Sequence, residues 1–226
     1  PVLTGEDARH IGRSLRMKPG EKITVCSCGT DYFCEISSIT EDTVFLNIKE
    51  QKLCSAEPSV DLTLFQAIPK QDKLEHIIQK SVELGVSKIV PVLTRRCVSR
   101  PDKKDFEKKL VRLNKIALEA AKQSGRGIIP TVEPMISFDE AIIQMKEYDC
   151  PAMLYEEGGI RFSELNTQEK KSFALFVGSE GGFDESEAEA AREAGIASIW
   201  LGERILRCET APLTAISILM FITKNL

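Results

Sequence analysis

The chain has 226 residues, 42% of them hydrophobic, and 30 Lys and Arg stand against 34 Asp and Glu for a net charge of −4. That length allows one good core, or one core plus a small module, and the acidic balance excludes a global basic field, so any nucleic-acid binding must use local patches. Seven cysteines, scattered and without a C-x-x-C pair, beside only two histidines, argue against a structural zinc site and suit a reducing compartment; with no leader and no run of about 20 apolar residues, a soluble cytoplasmic protein with no metal and no membrane partner is expected.

Residues 1–58 have the texture of a small β-rich module. A helix over residues 5–15 carries Arg9, His10, Arg13 and Arg16 on nearby turns, which by themselves read as a solvated face. Short β-type runs follow at residues 21–27, 32–39 and 43–49, divided by Pro19-Gly20, Gly29 and Glu41-Asp42, as in a small antiparallel barrel or sheet.

From about residue 59 to the end, strand and helix alternate, the mark of a parallel α/β domain. Residues 60–68 predict a strand, 72–84 a helix ended by Gly85, and 88–93 the next strand. His76 has no sequence-near partner and reads as a packing or surface residue. Residues 95–115 hold nine basic side chains against Asp102, Asp105 and Glu107. Such a run is commonly a solvated helix face, yet Arg95, Arg96 and Arg100 leave a strand where guanidinium forks could hold phosphates. A helix over 106–123 follows, and Arg126, between Gly125 and Gly127, reads as a ligand or RNA contact. A helix over 137–146 leads to a strand at 151–155 that brings Leu154 and Tyr155 to its exit before Glu156-Glu157-Gly158-Gly159.

The last quarter carries the densest signal. Apolar runs at 173–177 and 199–201 each end at glycine, and one amphipathic helix separates them, which places both exits on the ligand-binding edge of a parallel sheet. The loop Gly178-Ser179-Glu180-Gly181-Gly182 has neither P-loop nor dinucleotide spacing. Asp184 and Glu187 form a capping box whose carboxylates would repel phosphate, so the loop either makes a tight turn only or takes a neutral or cationic ligand. The second loop, L-G-E-R-I-L-R-C-E-T-A, mixes Arg204, Arg207 and Glu209 with Ile205 and Leu206, which neither a solvated turn nor a packed core needs. A helix over 212–221 is apolar nearly all round and must be covered on more than one side.

G-S-E-G-G-F and L-G-E-R-I-L-R-C-E-T-A, with K-Q-D-K-L-E-H-I-I-Q-K-S-V-E-L-G-V, Q-S-G-R-G-I-I-P and A-R-H-I-G-R-S-L-R-M-K-P-G-E, resemble the ribosomal small-subunit RNA methyltransferase E family, a branch of the SPOUT methyltransferases. The resemblance spans almost the whole chain; Ser179 stands where the family often has proline and Cys208 where threonine is common. It implies an α/β SPOUT-type parallel sheet flanked by helices with a C-terminal trefoil knot, preceded by a small β-rich PUA-like RNA-binding domain. The family usually has a further strand before the opening helix, and this chain is expected to lack it through a shorter domain or an incomplete N-terminus. The implied reaction transfers a methyl group from S-adenosylmethionine to N3 of a uridine in 16S ribosomal RNA, in the assembled 30S subunit, by a homodimer.

For that chemistry Arg207 is the candidate to stabilise charge on the uracil oxygens, with Arg204 and Arg126 as substitutes, and Glu209 or Glu180 is the candidate base. Arg207 paired with Glu209 as a loop brace is the alternative. Leu154, Tyr155, Gly178, Glu180, Gly181, Gly182, Leu201, Gly202, Ile205, Leu206, Thr210 and Ala211 are expected to hold the cofactor, and Arg9, Arg13, Arg16, Arg95, Arg96, Arg100, Arg126 and Arg204 the RNA. A SPOUT enzyme of other position specificity, or a noncatalytic assembly factor binding ribosomal RNA, are the alternatives.

Overall fold

The computed structural model describes every residue from Pro1 to Leu226, in two compact units: residues 1–57 with 125–128, and residues 58–124 with 129–226. In the first unit, β1 (Val2–Thr4), β2 (Lys22–Ser27), β3 (Thr30–Ile39) and β4 (Thr43–Leu53) form an antiparallel sheet in the order β1-β4-β3-β2. Its core is Ala8, Ile11, Cys34, Ile36, Val44 and Leu46, where α1 (Gly5–Arg9) and the π-helical turn His10–Ser14 pack. The strand expected to be missing is present: β1 pairs with β4 from Val2↔Phe45 to Thr4↔Thr43, and the Leu46 N–H donates to the Pro1 carbonyl at 3.1 Å. Three residues are too few to show an alternation, so only the pairing partner reveals it. β4 also outruns its expected end at residue 49. Its polar tail, from Glu50 to Leu53, is held by the ladder to β3 rather than by a buried face.

The segment Gly125–Ile128 belongs to this unit. Gly29 N–H donates to the Gly127 carbonyl at 3.0 Å, and the Glu57 carboxylate accepts from the Gly127 and Ile128 N–H groups at 2.8 and 2.9 Å and from Arg126 Nη2 at 2.8 Å.

The second unit is a wholly parallel sheet of β5 (Asp61–Ala67), β6 (Lys88–Leu93), β7 (Thr131–Val132), β8 (Ile136–Ser137), β9 (Cys150–Leu154), β10 (Ser172–Val177) and β11 (Ala197–Ile199). The order is β11-β9-β10-β5-β6-β7, with β8 also on β6. Helices α2 (Lys73–Glu83), α3 (Lys103–Ser124), α4 (Phe138–Met145), α5 (Glu185–Glu193) and α6 (Thr210–Ile222) connect or follow the strands. β5 and β10 lie side by side in the middle, and Leu62, Leu64, Phe65, Phe173, Leu175 and Phe176 are buried there. Strands covered on both faces need mostly apolar runs rather than alternation; β10 is unbroken from Phe173 to Val177, while β5 also buries Thr63 and Gln66. Phe176 meets Phe183 edge to face with ring centroids 4.8 Å apart, which anchors the chain just beyond the glycine loop to the core.

The chain runs from β5 outward to β6, β7 and β8 and then returns to β9. β10 then inserts between β9 and β5, and β11 adds outside β9. This reversal leaves a crevice at the carboxyl ends of the strands, where open α/β sheets hold ligands. The exits of β9, β10 and β11 are neighbours there.

Candidate active site

The glycine loop leaving β10 is tied on every side. Gly182 N–H closes it onto the Ser179 carbonyl at 3.0 Å. Buried Gln66 donates from Nε2 to the Gly178 carbonyl at 3.2 Å, Arg96 Nη1 donates to the Gly181 carbonyl at 3.2 Å, and the Ser179 hydroxyl donates to the Arg96 carbonyl at 3.4 Å. Gly182 has φ +65°, and a Cβ there would run into the Glu156 carboxylate; only glycine fits that position without strain. The capping box expected at the start of α5 is formed: Asp184 accepts from the Ser186 N–H, and the Asp184 N–H donates to Glu187 at 3.0 Å. Glu187 is buried, and its other oxygen accepts from the Arg95 N–H at 2.8 Å, which offsets the cost of burying it. Asp184 is held below the usual carboxylate range by the Ser186 hydroxyl and N–H, with Arg96 and Arg95 adding to it. This helix N-terminus is already filled by acid.

The second loop, from Trp200 to Cys208, takes no regular structure. The N–H groups of Leu201, Gly202, Ile205 and Leu206 make no hydrogen bond within the chain. The two loops and the β9 exit enclose a cleft of about 420 Å³. Of the expected cofactor residues, Leu154, Tyr155, Gly178, Glu180, Gly182, Leu201, Gly202, Ile205, Leu206 and Ala211 line it; Gly181 and Thr210 do not. Val177, Ile199, Trp200 and Glu156 join the lining without having been expected. Tyr155 is buried and donates from its hydroxyl to Glu157 at 3.0 Å; burial first, then Glu157, raises its pKa.

The charged end of the cleft turns on Lys73, a residue the sequence reading missed. Its Nζ lies 3.1 Å from Glu180 Oε1 and 3.1 Å from Glu209 Oε2, and these two hydrogen bonds, Glu209 first, raise its pKa. Burial pushes the Glu180 carboxyl up, but its own N–H, Lys73 and the Lys70 N–H outweigh that and leave it below the ordinary value. Glu209 is also depressed, first by the Cys208 thiol, 3.2 Å away, and then, against a desolvation cost, by Lys73. Burial, the bond to Glu209 and the nearby Glu180 charge push Cys208 up to about 12, so it stays a thiol and donates. Two ionised carboxylates and one ammonium leave this end with one net negative charge.

Arg207 also lines the cleft, with its side chain exposed. It does not brace the loop through Glu209, because Lys73 takes that carboxylate. Its carbonyl accepts from the Thr210 and Ala211 N–H groups at 2.8 and 2.9 Å, which fixes Arg207 at the start of α6. Arg204 is exposed in the same loop.

Arg126 is the clear departure from expectation. It lies in the first unit, not at the cleft, and its side chain is 3% exposed against Glu57. The flanking glycines serve the tight passage of residues 125–128, and the guanidinium is a buried ion-pair partner, neither a substitute for Arg207 nor an RNA contact. The other basic residues are accessible. Arg9 donates to the Gly5 carbonyl at 3.3 Å, Arg9 and Arg13 make exposed pairs with Asp42 and Glu41, worth little in water, and Arg16 is exposed. Arg95 and Arg96 pair with Asp184 at 3.5 and 3.8 Å. Arg100 Nη1 donates to the Thr94, Arg95 and Cys97 carbonyls, closest to Thr94 at 2.9 Å, and so shapes the loop that presents Arg95 and Arg96.

Residues 56–220 match the family model of an RNA methyltransferase domain, and residues 3–49 that of an RNA methyltransferase PUA domain. The chain is 37% identical to the ribosomal RNA small subunit methyltransferase E of Bacillus subtilis (strain 168), over 99% of this chain and 91% of that one. It is 36% identical to the protein of the same name from Mesomycoplasma hyopneumoniae (strain 232), over 93% and 89%. The crystal structure of a ribosomal RNA small subunit methyltransferase E from Neisseria gonorrhoeae bound to S-adenosyl methionine superposes with a TM-score of 0.87 at 31% identity, covering 98% of this chain and 91% of that one. A putative methyltransferase from Legionella pneumophila, solved with the bound cofactor SAM, gives 0.84 at 30% identity over 98% and 91%.

Proposed function

The chain belongs to the ribosomal RNA small subunit methyltransferase E family, and on that premise we propose that it methylates N3 of a uridine in 16S RNA within the assembled 30S subunit. Methylation of small-subunit ribosomal RNA with S-adenosylmethionine is its activity. The observation that carries the finer reading is the cleft itself, with unpaired backbone donors on one wall, ionised carboxylates at one end and an uncommitted arginine beside them.

The cleft suits the cofactor in chemistry as well as size. Unpartnered N–H groups at Leu201, Gly202, Ile205 and Leu206 can satisfy the hydrogen-bonding edge of an adenine, and Val177, Ile199 and Leu201 give it apolar surface. The net negative end at Glu180 and Glu209 favours a cation. Once bound, the cofactor supplies a methyl group already activated by a sulfonium. The chain must align the acceptor and manage one proton. Loss of the weakly acidic uracil N3 proton puts negative charge on O2 and O4, and the Arg207 guanidinium is free to stabilise it. Glu209 accepts the proton, since both oxygens of Glu180 are engaged by the Lys70 N–H and Lys73. Arg204, Arg9, Arg13, Arg16, Arg95 and Arg96 hold RNA phosphates as local patches on an acidic chain.

The family resemblance extends the reading to a homodimer and a trefoil knot formed by the segment after β11. Phe221 of α6 is 72% exposed, and Ile218 and Ile222 are half-buried; a second copy would cover them. The substrate places the enzyme in the cytoplasm. Mass mapping of 16S nucleosides from cells with and without the protein tests the main proposal. The expected result is loss of one 3-methyluridine; loss of a methyl group from any other nucleotide position overturns it.

A further inference from the structure

Cys26 and Asp31 are cross-strand partners in the β2–β3 hairpin. Cys54 follows the end of β4 and closes onto the same hairpin, its N–H donating to the Gly29 carbonyl at 2.8 Å. The fold thereby gathers three residues whose spacing in the sequence gave no sign of a site. The two sulfurs and a carboxylate oxygen of Asp31 all lie within 4.8 Å of one another, with Cys26 Sγ 2.6 Å from Asp31 Oδ1. Gly127 passes over the pair: a Cβ there would come 2.8 Å from Cys26 Sγ and 2.8 Å from the Cys54 Cβ. Arg126, the one basic residue of the covering segment Gly125–Ile128, is committed to Glu57.

We propose that Cys26, Cys54 and Asp31 form a binding site for one zinc ion. With Zn–S near 2.3 Å and Zn–O near 2.1 Å, a tetrahedral centre sets its sulfurs about 3.8 Å apart and each sulfur about 3.6 Å from the oxygen. The cluster is already on that scale; the main adjustment is to open the Cys26–Asp31 approach by about 1 Å, a side-chain motion in a half-exposed hairpin. Two thiolates select zinc over magnesium or calcium, which take oxygen donors. Binding releases the two thiol protons to solvent, and Cys26 and Asp31, both half-exposed, leave the fourth position to water. The ion would join β2 and β3 to the end of β4, whose last residues lie beyond Val44 and Leu46, that strand's members of the core.

The test uses the reduced full-length chain. One equivalent of Co(II) should give thiolate charge-transfer absorption and the intense visible bands of four-coordination, which zinc then abolishes. Zinc should slow N-ethylmaleimide labelling of Cys26 and Cys54 at least tenfold, read by peptide mass spectrometry, and leave exposed Cys28 unprotected. The Co(II) bands should survive in Cys28→Ser and vanish in Cys26→Ser/Cys54→Ser. Absence of protection in the unaltered protein, bands that persist in the double variant, or a Cys26–Cys54 disulfide that forms in air and excludes the metal would each overturn the site. The labelling arm needs no variant, so a misfolded mutant cannot mask the answer.

Discussion

The two loops that wall the cleft are built in opposite ways. The glycine loop after β10 is fastened by Gln66, Arg96, Ser179 and its own turn. The loop from Trp200 to Cys208 has free N–H groups and an Ile205 that is 86% exposed. One wall is set before the ligand arrives, and the other has donors to give it. A charged cofactor needs both: a fixed rim to define its position and a wall whose bonds are satisfied only on binding.

Substitutions at the fixed wall should do the most damage. Gly182→Ala forces a side chain into left-handed backbone and into Glu156, a strain of about 1–3 kcal/mol before the carboxylate moves. Its affinity for S-adenosylmethionine, by calorimetry, should fall about a hundredfold or more, and methyl transfer with it. Arg207→Ala spares the wall and removes the group assigned to the uracil oxygens; turnover on 30S subunits should drop about a hundredfold, while cofactor affinity stays within about twofold.

Lys73→Met probes the hinge between the walls, because Lys73 bonds Glu180 on one and Glu209 on the other. Both carboxyls sit below their ordinary values partly through this ammonium. A depressed carboxyl is fully ionised above its unfolded value and gains its proton only as pH falls through the lower folded value. In the unaltered enzyme the acid limb of the rate profile should therefore lie below the usual glutamate range. Without the ammonium both values rise, and activity should fail at higher pH as conditions are made acidic; at neutral pH the loss is about tenfold, from misplacement. Ile205→Ala should be the mildest. An exposed side chain costs at most about 0.5 kcal/mol of stability, so the melting temperature holds, and cofactor affinity falls about threefold to tenfold as the apolar contact made on binding is lost.

The same contrast explains what the sequence could tell. β5 and β10 are legible because burial on both faces demands a mostly apolar run, and Asp184 with Glu187 because a capping box is local. Lys73 falls within a motif that carries the resemblance, but its role is invisible there: it sits in an ordinary amphipathic helix, and its partners are 107 and 136 positions away in the sequence. Arg126 misled for the same reason. Glycines on both sides suggest an open contact, and only Glu57, 69 residues away, shows that the guanidinium is internal. The two-residue strands β7 and β8 exist because β6 offers them an edge. The loop residues that line the cleft are legible through the motifs that contain them; those that reach it from elsewhere needed the fold.

The insertion of β10 between β9 and β5 has a consequence for how the protein is made. The strand that bridges the two halves of the sheet begins at Ser172, 79 residues after β6 ends at Leu93, so a growing polypeptide carries β5 and β6 with one unpaired backbone edge until that stretch has been made. An enzyme that methylates ribosomal RNA thus keeps its own sheet open during part of its synthesis on a ribosome.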